Sequence, residues 1–184
     1  MSGGFLSVGH SSRPLAEFLD MLHGAGVRKV IDVRSFPKSR THPQYGIARL
    51  PGALAAKGIG YRHLAALGGR RGRQAGVDPA SNALWRVESF HNYADYALGD
   101  AFGEAFAQLV AEGRDSVVAV MCAEAAWWRC HRRIIVDRLL VQGLPVAHLM
   151  APGRVAEASL TPGARVAQGV LTYPAAGRGD GPRP

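Results

Sequence analysis

The sequence is short of cysteine, of lysine and of long apolar runs, and these shortages exclude several classes of protein. Two cysteines in 184 residues do not make the framework of a small disulfide-stabilised protein. No apolar run approaches the roughly 20 residues that span a bilayer. The first ten residues, MSGGFLSVGH, lack the basic and apolar regions of a secretory signal. We therefore expect a cytoplasmic protein without a membrane partner.

Positive charge comes almost entirely from arginine. The chain carries 22 basic and 14 acidic residues, for a net charge of +8, and only Lys29, Lys38 and Lys57 are lysines. Arginine presents a planar fork that suits phosphate and carboxylate groups, although a GC-rich genome also raises its frequency. A basic protein attracts nucleic acid through its net field. An anionic small molecule and nucleic acid therefore both stay open as partners.

Apolar residues make up 47% of the chain, which is enough for one hydrophobic core. Short apolar runs predict strands at 5–8, 30–33, 58–64, 117–121 and 146–149. Helical spacing predicts helices between them, one ending near Gly24 and others over 47–56, 93–112 and 128–141. This alternation predicts a single α/β domain, Rossmann-like, with a mostly parallel sheet of about five strands and helices on both faces.

The composition changes after residue 151. Residues 152–184 contain six glycines and five prolines and show weak hydrophobic patterning. Such a composition is typical of a tail that is loosely ordered at best. We therefore expect the α/β domain to occupy residues 1–151 and a Pro/Gly-rich tail to occupy residues 152–184.

Three polar or reactive side chains directly follow predicted strands. His10 follows the first strand, Arg34 the second and Cys122 the fourth. Ligands of parallel α/β sheets bind beyond the carboxyl ends of the strands, so we expect these three side chains to converge on one rim. There His10 is placed to act as a general acid or base and Arg34 to bind an anionic group. Asp32, inside the second strand, is expected to orient an arginine or a histidine instead of taking part in chemistry.

Four segments resemble, in order, the signature blocks of the DUF488 family. They are GHSSRPLAEF (9–18), IDVRSFPKSRTHPQY (31–45), GIGYRHLAALGGRR (58–71) and MCAEAAWWRCHRRIIVDRL (121–139). The resemblance spreads over residues 5–149 and implies an α/β domain of this size, but no established reaction. Tyr45 stands where the family pattern has Phe. The resemblance implies signature positions at His10, Asp32, Arg34, Pro37, Ser39, Arg40, Gly68, Gly69, Cys122, Glu124, Cys130, His131 and Arg132.

The last of these segments holds both cysteines. Cys122 is predicted to lie between a buried strand and a helix that begins near residue 126 or 127, and helix N-terminal amides stabilise a thiolate or a bound anion. Arg129 and Arg132 add positive charge. Cys122 is therefore a candidate nucleophile or part of an anion cradle, the alternative being a small buried apolar residue.

The spacing of Cys130 and His131 argues against a metal site. Adjacent side chains on a helix diverge by about 100 degrees, so the predicted helix keeps this pair from binding one metal ion, and no metal ligand is assigned. Haem ligation through Cys122 or Cys130, with His10 or His131 nearby, stays open as an alternative. The sequence therefore leaves the cofactor unknown.

Two main classes of function remain, with haem or metal binding as a further alternative. The first is an enzyme that acts on a small anionic substrate, nucleotide-like or phosphorylated, by a reaction that the sequence does not assign. The second is a nucleic-acid-binding module in which the same arginines form a basic groove. A concave site favours the enzyme. The catalytic candidates are His10, Cys122 and Glu124, and the substrate-binding candidates are Arg34, Arg40, Arg70, Arg71, Trp128, Cys130, His131 and Arg132.

Overall fold

Six strands form the main sheet of the computed structural model, which describes residues 3–175. The strands are β1 (Gly4–Gly9), β2 (Lys29–Asp32), β3 (Gly60–His63), β4 (Val117–Cys122), β5 (Val146–Ala151) and β6 (Arg154–Glu157). Their order in the sheet is β3-β2-β4-β1-β5-β6. The first five pair in parallel, and β6 runs antiparallel to β5. The predicted α/β class and mostly parallel sheet are confirmed.

Helices cover both faces of the sheet. One face carries α1 (Leu15–Gly24) and α2 (Leu50–Ala55), whose buried leucines pack with Val8, Val30 and Met121. The other face carries α3 (Glu88–Tyr96), α4 (Asp100–Glu112) and α5 (Arg132–Val141). In the described part of the chain, no helix combines the length and apolar composition that crossing a membrane requires.

Two of the predicted helices differ from the structure. The helix predicted over 93–112 is divided into α3 and α4, because the backbone at Gly99 is extended (φ −91°, ψ 164°). The helix predicted over 128–141 begins only at Arg132. Residues Trp127–Arg129 form a separate 3-10 turn, and Cys130 after it is also extended (φ −126°, ψ 146°). Cys130 and His131 therefore precede α5 instead of lying in its first turns.

The connections that follow the two central strands, β1 and β4, run in opposite directions across the sheet. In a Rossmann sheet β1 lies between β2 and β4, whereas here β1 lies between β4 and β5. The segment after β1 leads to α1 on one face, and the segment after β4 leads to α5 on the opposite face. Because these segments diverge, a crevice opens between them at the carboxyl ends of the strands, where α/β proteins bind their ligands.

The expectation of a loosely ordered tail is wrong for residues 152–175. β6 extends the sheet, and β7 (Arg165–Ala167) pairs with β8 (Val170–Thr172) as a hairpin. Tyr173 is 1% exposed and donates a hydrogen bond from its hydroxyl to Asp137 Oδ2 (2.8 Å). A few large side chains anchor this segment, so its sparse hydrophobic pattern was a poor guide to order. Residues 176–184 lie outside the described residues.

We expect Tyr173→Ala to destabilise the domain by about 3–5 kcal/mol, because it removes a buried aromatic ring and one of the two donors to the buried Asp137 carboxylate. Val170→Ala, at a hairpin side chain that is 47% exposed, should cost less than about 1 kcal/mol. Urea denaturation of both variants measures the difference. Equal midpoints for the two variants would mean that Tyr173 does not anchor the C-terminal segment.

Candidate functional site

A cleft of about 730 Å³ opens at the carboxyl ends of β1, β2 and β4. The expected convergence of His10, Arg34 and Cys122 is found here, since all three line the cleft. The cleft is lined by His10, Ser11, Ser12, Arg34, Ser35, Phe36, Lys38, Ser39, Thr41, His42, Gly69, Arg70, Ser89, Phe90, Cys122, Ala123, Glu124, Ala125, Arg129, Cys130 and His131.

Arg34 is held rigidly at the base of the cleft. Its guanidinium pairs with both carboxylate oxygens of Asp32, which is fully buried, and also donates to the carbonyl of Tyr45 (2.9 Å). Tyr61 donates its hydroxyl to Asp32 Oδ2 (2.7 Å). Asp32 therefore orients Arg34, as expected for a carboxylate inside a buried strand. Arg34 presents a fixed positive charge to the cleft.

His10 is buried beside Arg34 and stays neutral near pH 7. Its Nδ1 lies 2.8 Å from the carbonyl of Ser11, and its Nε2 lies 3.3 Å from Arg34 Nη1. These partners fix the tautomer, because Nδ1 donates to the carbonyl and Nε2 accepts from the guanidinium. Burial lowers the pKa of His10 to about 4, and the positive charge of Arg34 acts in the same direction. The ring also stacks on Tyr45, 4.0 Å between centroids.

The mouth of the cleft is positively charged. Lys38, Arg70 and Arg129 are exposed and line it, and Glu124 is the one carboxylate among the described lining residues. The backbone amide of Arg70 donates to Ser35 Oγ (2.9 Å), which fixes the arginine-rich loop over residues 70–73 against the segment after β2. Hydroxyl side chains accompany these cations around the wall: Ser11, Ser12, Ser35, Ser39, Thr41 and Ser89. Cations and hydroxyl donors together suit an anion rich in oxygen.

Cys122, Cys130 and His131 form a compact group on the wall of the cleft. One sulfur from each cysteine and one ring nitrogen of His131 all lie within 4.8 Å of one another. The expected helical divergence of Cys130 and His131 is wrong, since Cys130 is extended and its Sγ lies 3.5 Å from His131 Nδ1. Both cysteines are free thiols.

The surroundings of the two thiols shift their pKa values in opposite directions. Hydrogen bonding from the Cys122 thiol lowers the pKa of Cys130, and His131 and Arg132 act in the same direction. The same hydrogen bond raises the pKa of Cys122, together with burial. The helix expected to begin near residue 126 or 127 begins at Arg132 instead. The two pKa values are thus shifted in opposite directions, downward for Cys130 and upward for Cys122.

Four residues expected to bind substrate do not line the cleft. Arg40 and Trp128 are exposed outside it. Arg71 turns away, donates to the carbonyls of Gly68 (2.9 Å) and Ala65 (2.8 Å), and stacks 4.0 Å from the Tyr96 ring. Arg132 is 1% exposed beneath the site, where it donates to the Glu124 carbonyl, Ser7 Oγ and Cys130 Sγ. Arg71 and Arg132 therefore shape the site from behind.

Several lining residues had no assigned role in the sequence. Lys38 and His42 belong to the polar loop that follows Arg34, and Ser89 and Phe90 begin α3. The position of the loop after a strand was the one available signal for Lys38 and His42. No local pattern marks Ser89 and Phe90, because the long connection between β3 and β4 brings them to the cleft.

The segment between β4 and α5 is supported from below by an unusual histidine. His148 is 2% exposed and stacks on Trp127, with ring centroids 4.1 Å apart. Neither of its ring nitrogens has a hydrogen-bond partner among the described residues. Burial, and then the positive charge of Arg132, lowers the pKa of His148 to about 4. The fold therefore requires a neutral imidazole under Trp127.

Comparison with known proteins identifies a family. The profile of the family described as "Domain of unknown function DUF488" matches residues 14–139, which include Arg34 and the Cys122, Cys130 and His131 group and begin after His10. The chain belongs to this family. Comparisons with curated proteins and with solved structures give no match.

The low pKa of His148 predicts a loss of stability in acid. In the unfolded chain a histidine binds its proton near pH 6.5, whereas folded His148 binds it only near pH 4. The unfolded state therefore takes up more protons between these values, and stability falls as pH falls from 6.5 towards 4. We expect His148 to account for roughly 1–3 kcal/mol of this loss.

Urea denaturation at pH 7.5 and pH 4.5 tests this expectation. His148→Leu should reduce the difference between the two pH values, whereas His23→Leu, at an exposed position in the last turn of α1, should leave it unchanged. An unchanged pH dependence in His148→Leu would contradict a buried neutral His148.

Proposed function

We propose that this DUF488 protein is an enzyme that acts on a small anionic substrate, a phosphate ester or a related oxyanion, bound in the cleft. One observation carries the proposal. The cations at the mouth of the cleft surround the same space as a group of two thiols and an imidazole. A binding function explains the cations alone, whereas an enzyme explains both sets of residues.

The charges around the cleft favour an anion over a neutral ligand. The mouth has three cations, Lys38, Arg70 and Arg129, and one carboxylate, Glu124. The net potential there is therefore positive. Arg34 adds a fixed donor at the base of the cleft. Its ion pair with Asp32 offsets the cost of removing the guanidinium from water. Anionic oxygens bound here would receive charge-assisted hydrogen bonds from several directions.

The shape of the site favours a small substrate over nucleic acid. Small-molecule sites are concave and have volumes of roughly 300–1,000 Å³, and the volume of about 730 Å³ lies in this range. Arg71, which would have extended a basic groove, instead packs against Tyr96. The exposed ring of Phe36 beside Arg70 offers an apolar surface for the uncharged part of the substrate.

The location of the proposed enzyme is part of the proposal. We place the activity in the cytoplasm, a reducing compartment that would keep Cys122 and Cys130 as thiols.

Charge removal tests where anions bind. Arg70→Ala with Arg129→Ala should weaken the binding of pyrophosphate at least about tenfold, because charged hydrogen bonds contribute about 1.5–3 kcal/mol each. Arg40→Ala with Arg73→Ala removes the same charge from exposed residues outside the cleft lining and should change affinity by less than about twofold. Isothermal titration calorimetry at fixed ionic strength measures both. Equal weakening in both double variants would point to a general field instead of a site.

The binding of a 20-nucleotide single strand tests the alternative of a nucleic-acid-binding function. Tight binding that falls steeply with salt and is weakened equally by both double variants would replace the enzyme proposal with a nucleic-acid function. Weak binding at moderate salt agrees with a small-molecule site.

A turnover assay tests the enzymatic part of the proposal. Wild-type protein is incubated with mixtures of nucleotides and sugar phosphates, and mass spectrometry follows the loss of each compound. We expect one class to be consumed by the wild type and by Arg40→Ala, but not by Cys130→Ser, whose thiol belongs to the reactive group. Binding of an anion without consumption of any compound would leave a binding protein and contradict the enzyme.

A further inference from the structure

We propose that Cys122, Cys130 and His131 bind one zinc ion, with the fourth coordination position open to the cleft. The metal site itself stands on the geometry of these three residues. It rests on the proposed function in one respect only, the identity of the group that takes the open position, which we assign to an oxygen of the anionic substrate.

The distance between Cys130 and His131 fits a tetrahedral zinc ion, and Cys122 lies close enough to complete the site. Zinc binds thiolate sulfur at about 2.3 Å and imidazole nitrogen at about 2.0–2.1 Å, so a tetrahedral angle separates the two ligand atoms by about 3.6 Å. The observed distance from Cys130 Sγ to His131 Nδ1 is 3.5 Å. The Sγ of Cys122 completes the group, since all three atoms lie within 4.8 Å of one another.

Backbone conformation explains how neighbouring residues point at one ion. Cys122 ends β4, Cys130 is extended, and His131 caps α5. The extended backbone at Cys130 turns its thiol to the same side as the imidazole, which a helix would not allow. The ligands therefore come from a strand end and a helix start, and the fold holds both firmly.

The outer contacts of the group are those of a metal ligand set. His131 donates from Nε2 to the carbonyl of Val33 (2.9 Å), which fixes the tautomer and leaves the lone pair of Nδ1 directed at the group. Arg132 donates from Nε to Cys130 Sγ (3.4 Å), a contact that stabilises a thiolate. Metal-binding histidines commonly donate their second nitrogen to a carbonyl in this way.

A glycine keeps the imidazole accessible. A Cβ placed on Gly69 would lie 2.4 Å from His131 Nδ1 and 2.6 Å from its Cγ. Any side chain at position 69 would therefore collide with the ring at its ligand nitrogen. Gly69 also lines the cleft, so the ligand group and the cleft meet at this point.

The donor set identifies the class of metal and its role. Two thiolates and one imidazole are soft to borderline ligands, which favour zinc over magnesium or calcium. Among the described residues the group holds three ligands and no fourth, and structural zinc sites have four protein ligands. Three ligands beside an open position are typical of catalytic zinc, which polarises a bound oxygen.

Cobalt serves as a visible probe of this site. The reduced, chelator-treated full chain is titrated with Co²⁺, and the absorption spectrum is followed. We expect one ion per chain, a thiolate-to-cobalt band in the near ultraviolet, strong visible bands of a four-coordinate ion, and displacement by Zn²⁺. Cys122→Ser, Cys130→Ser and His131→Gln should each lower affinity roughly 100-fold or more. His42→Gln, a cleft histidine outside the group, should bind cobalt as the wild type does.

A thiol assay on the wild type covers the case in which a variant does not fold. Zn²⁺ should protect both thiols from a disulfide reagent in the native protein. No binding of cobalt, unprotected thiols in the presence of Zn²⁺, or binding unchanged in all three folded ligand variants would each overturn the metal site.

Inorganic phosphate tests the open position separately. Its addition should shift the visible bands of the cobalt form, and Arg70→Ala with Arg129→Ala should raise the phosphate concentration needed by about tenfold. If phosphate does not shift the cobalt bands, the proposal that an anion takes the fourth coordination position is overturned. The three-residue metal site would still stand. Pyrophosphate binding to the metal-free protein reports on the proposed function by itself, so the two failures are distinguishable.

Discussion

The buried ion pair between Asp32 and Arg34 is the interaction on which the cleft depends. Asp32 is fully buried and Arg34 is 6% exposed, and around them gather the Tyr61 hydroxyl, the Tyr45 carbonyl and the His10 ring. The pair thus ties the ends of β1, β2 and β3 to the loop after β2. Loss of either partner would leave an uncompensated buried charge at a cost of about 3–5 kcal/mol, and the cleft would lose its base.

Arg132 holds the opposite wall of the cleft in place through its hydrogen bonds, as Arg34 holds the base. It is buried under the segment that joins β4 to α5, and its three donors reach Ser7, the Glu124 carbonyl and Cys130. These contacts join β1 to that segment and hold the thiol of Cys130 in the cleft wall. Because β1 and β4 are neighbours whose connections diverge, the two arginine-centred networks lie on either side of one crevice.

The parallel sheet and the convergence of His10, Arg34 and Cys122 could be predicted from the sequence. Alternating strands and helices predict parallel strands, and the carboxyl ends of parallel strands lie at the same edge of the sheet. The sequence was insufficient where long-range contacts override local pattern. In the sequence, nothing distinguishes Arg71 and Arg132 from the arginines that line the cleft. In the structure, Arg71 donates to backbone carbonyls and packs on Tyr96, and Arg132 donates to a backbone carbonyl and to Cys130. The helical spacing of residues 128–141 likewise concealed the extended backbone at Cys130.

Whether one cleft holds both a metal and an anion can be seen in crystals grown with Zn²⁺ and pyrophosphate, by diffraction at the zinc absorption edge. We expect one anomalous peak bound by Cys122 Sγ, Cys130 Sγ and His131 Nδ1, with a pyrophosphate oxygen in the fourth position and Arg70 and Arg129 on the remaining oxygens. A peak elsewhere, or a pyrophosphate bound outside the cleft, would contradict this expectation.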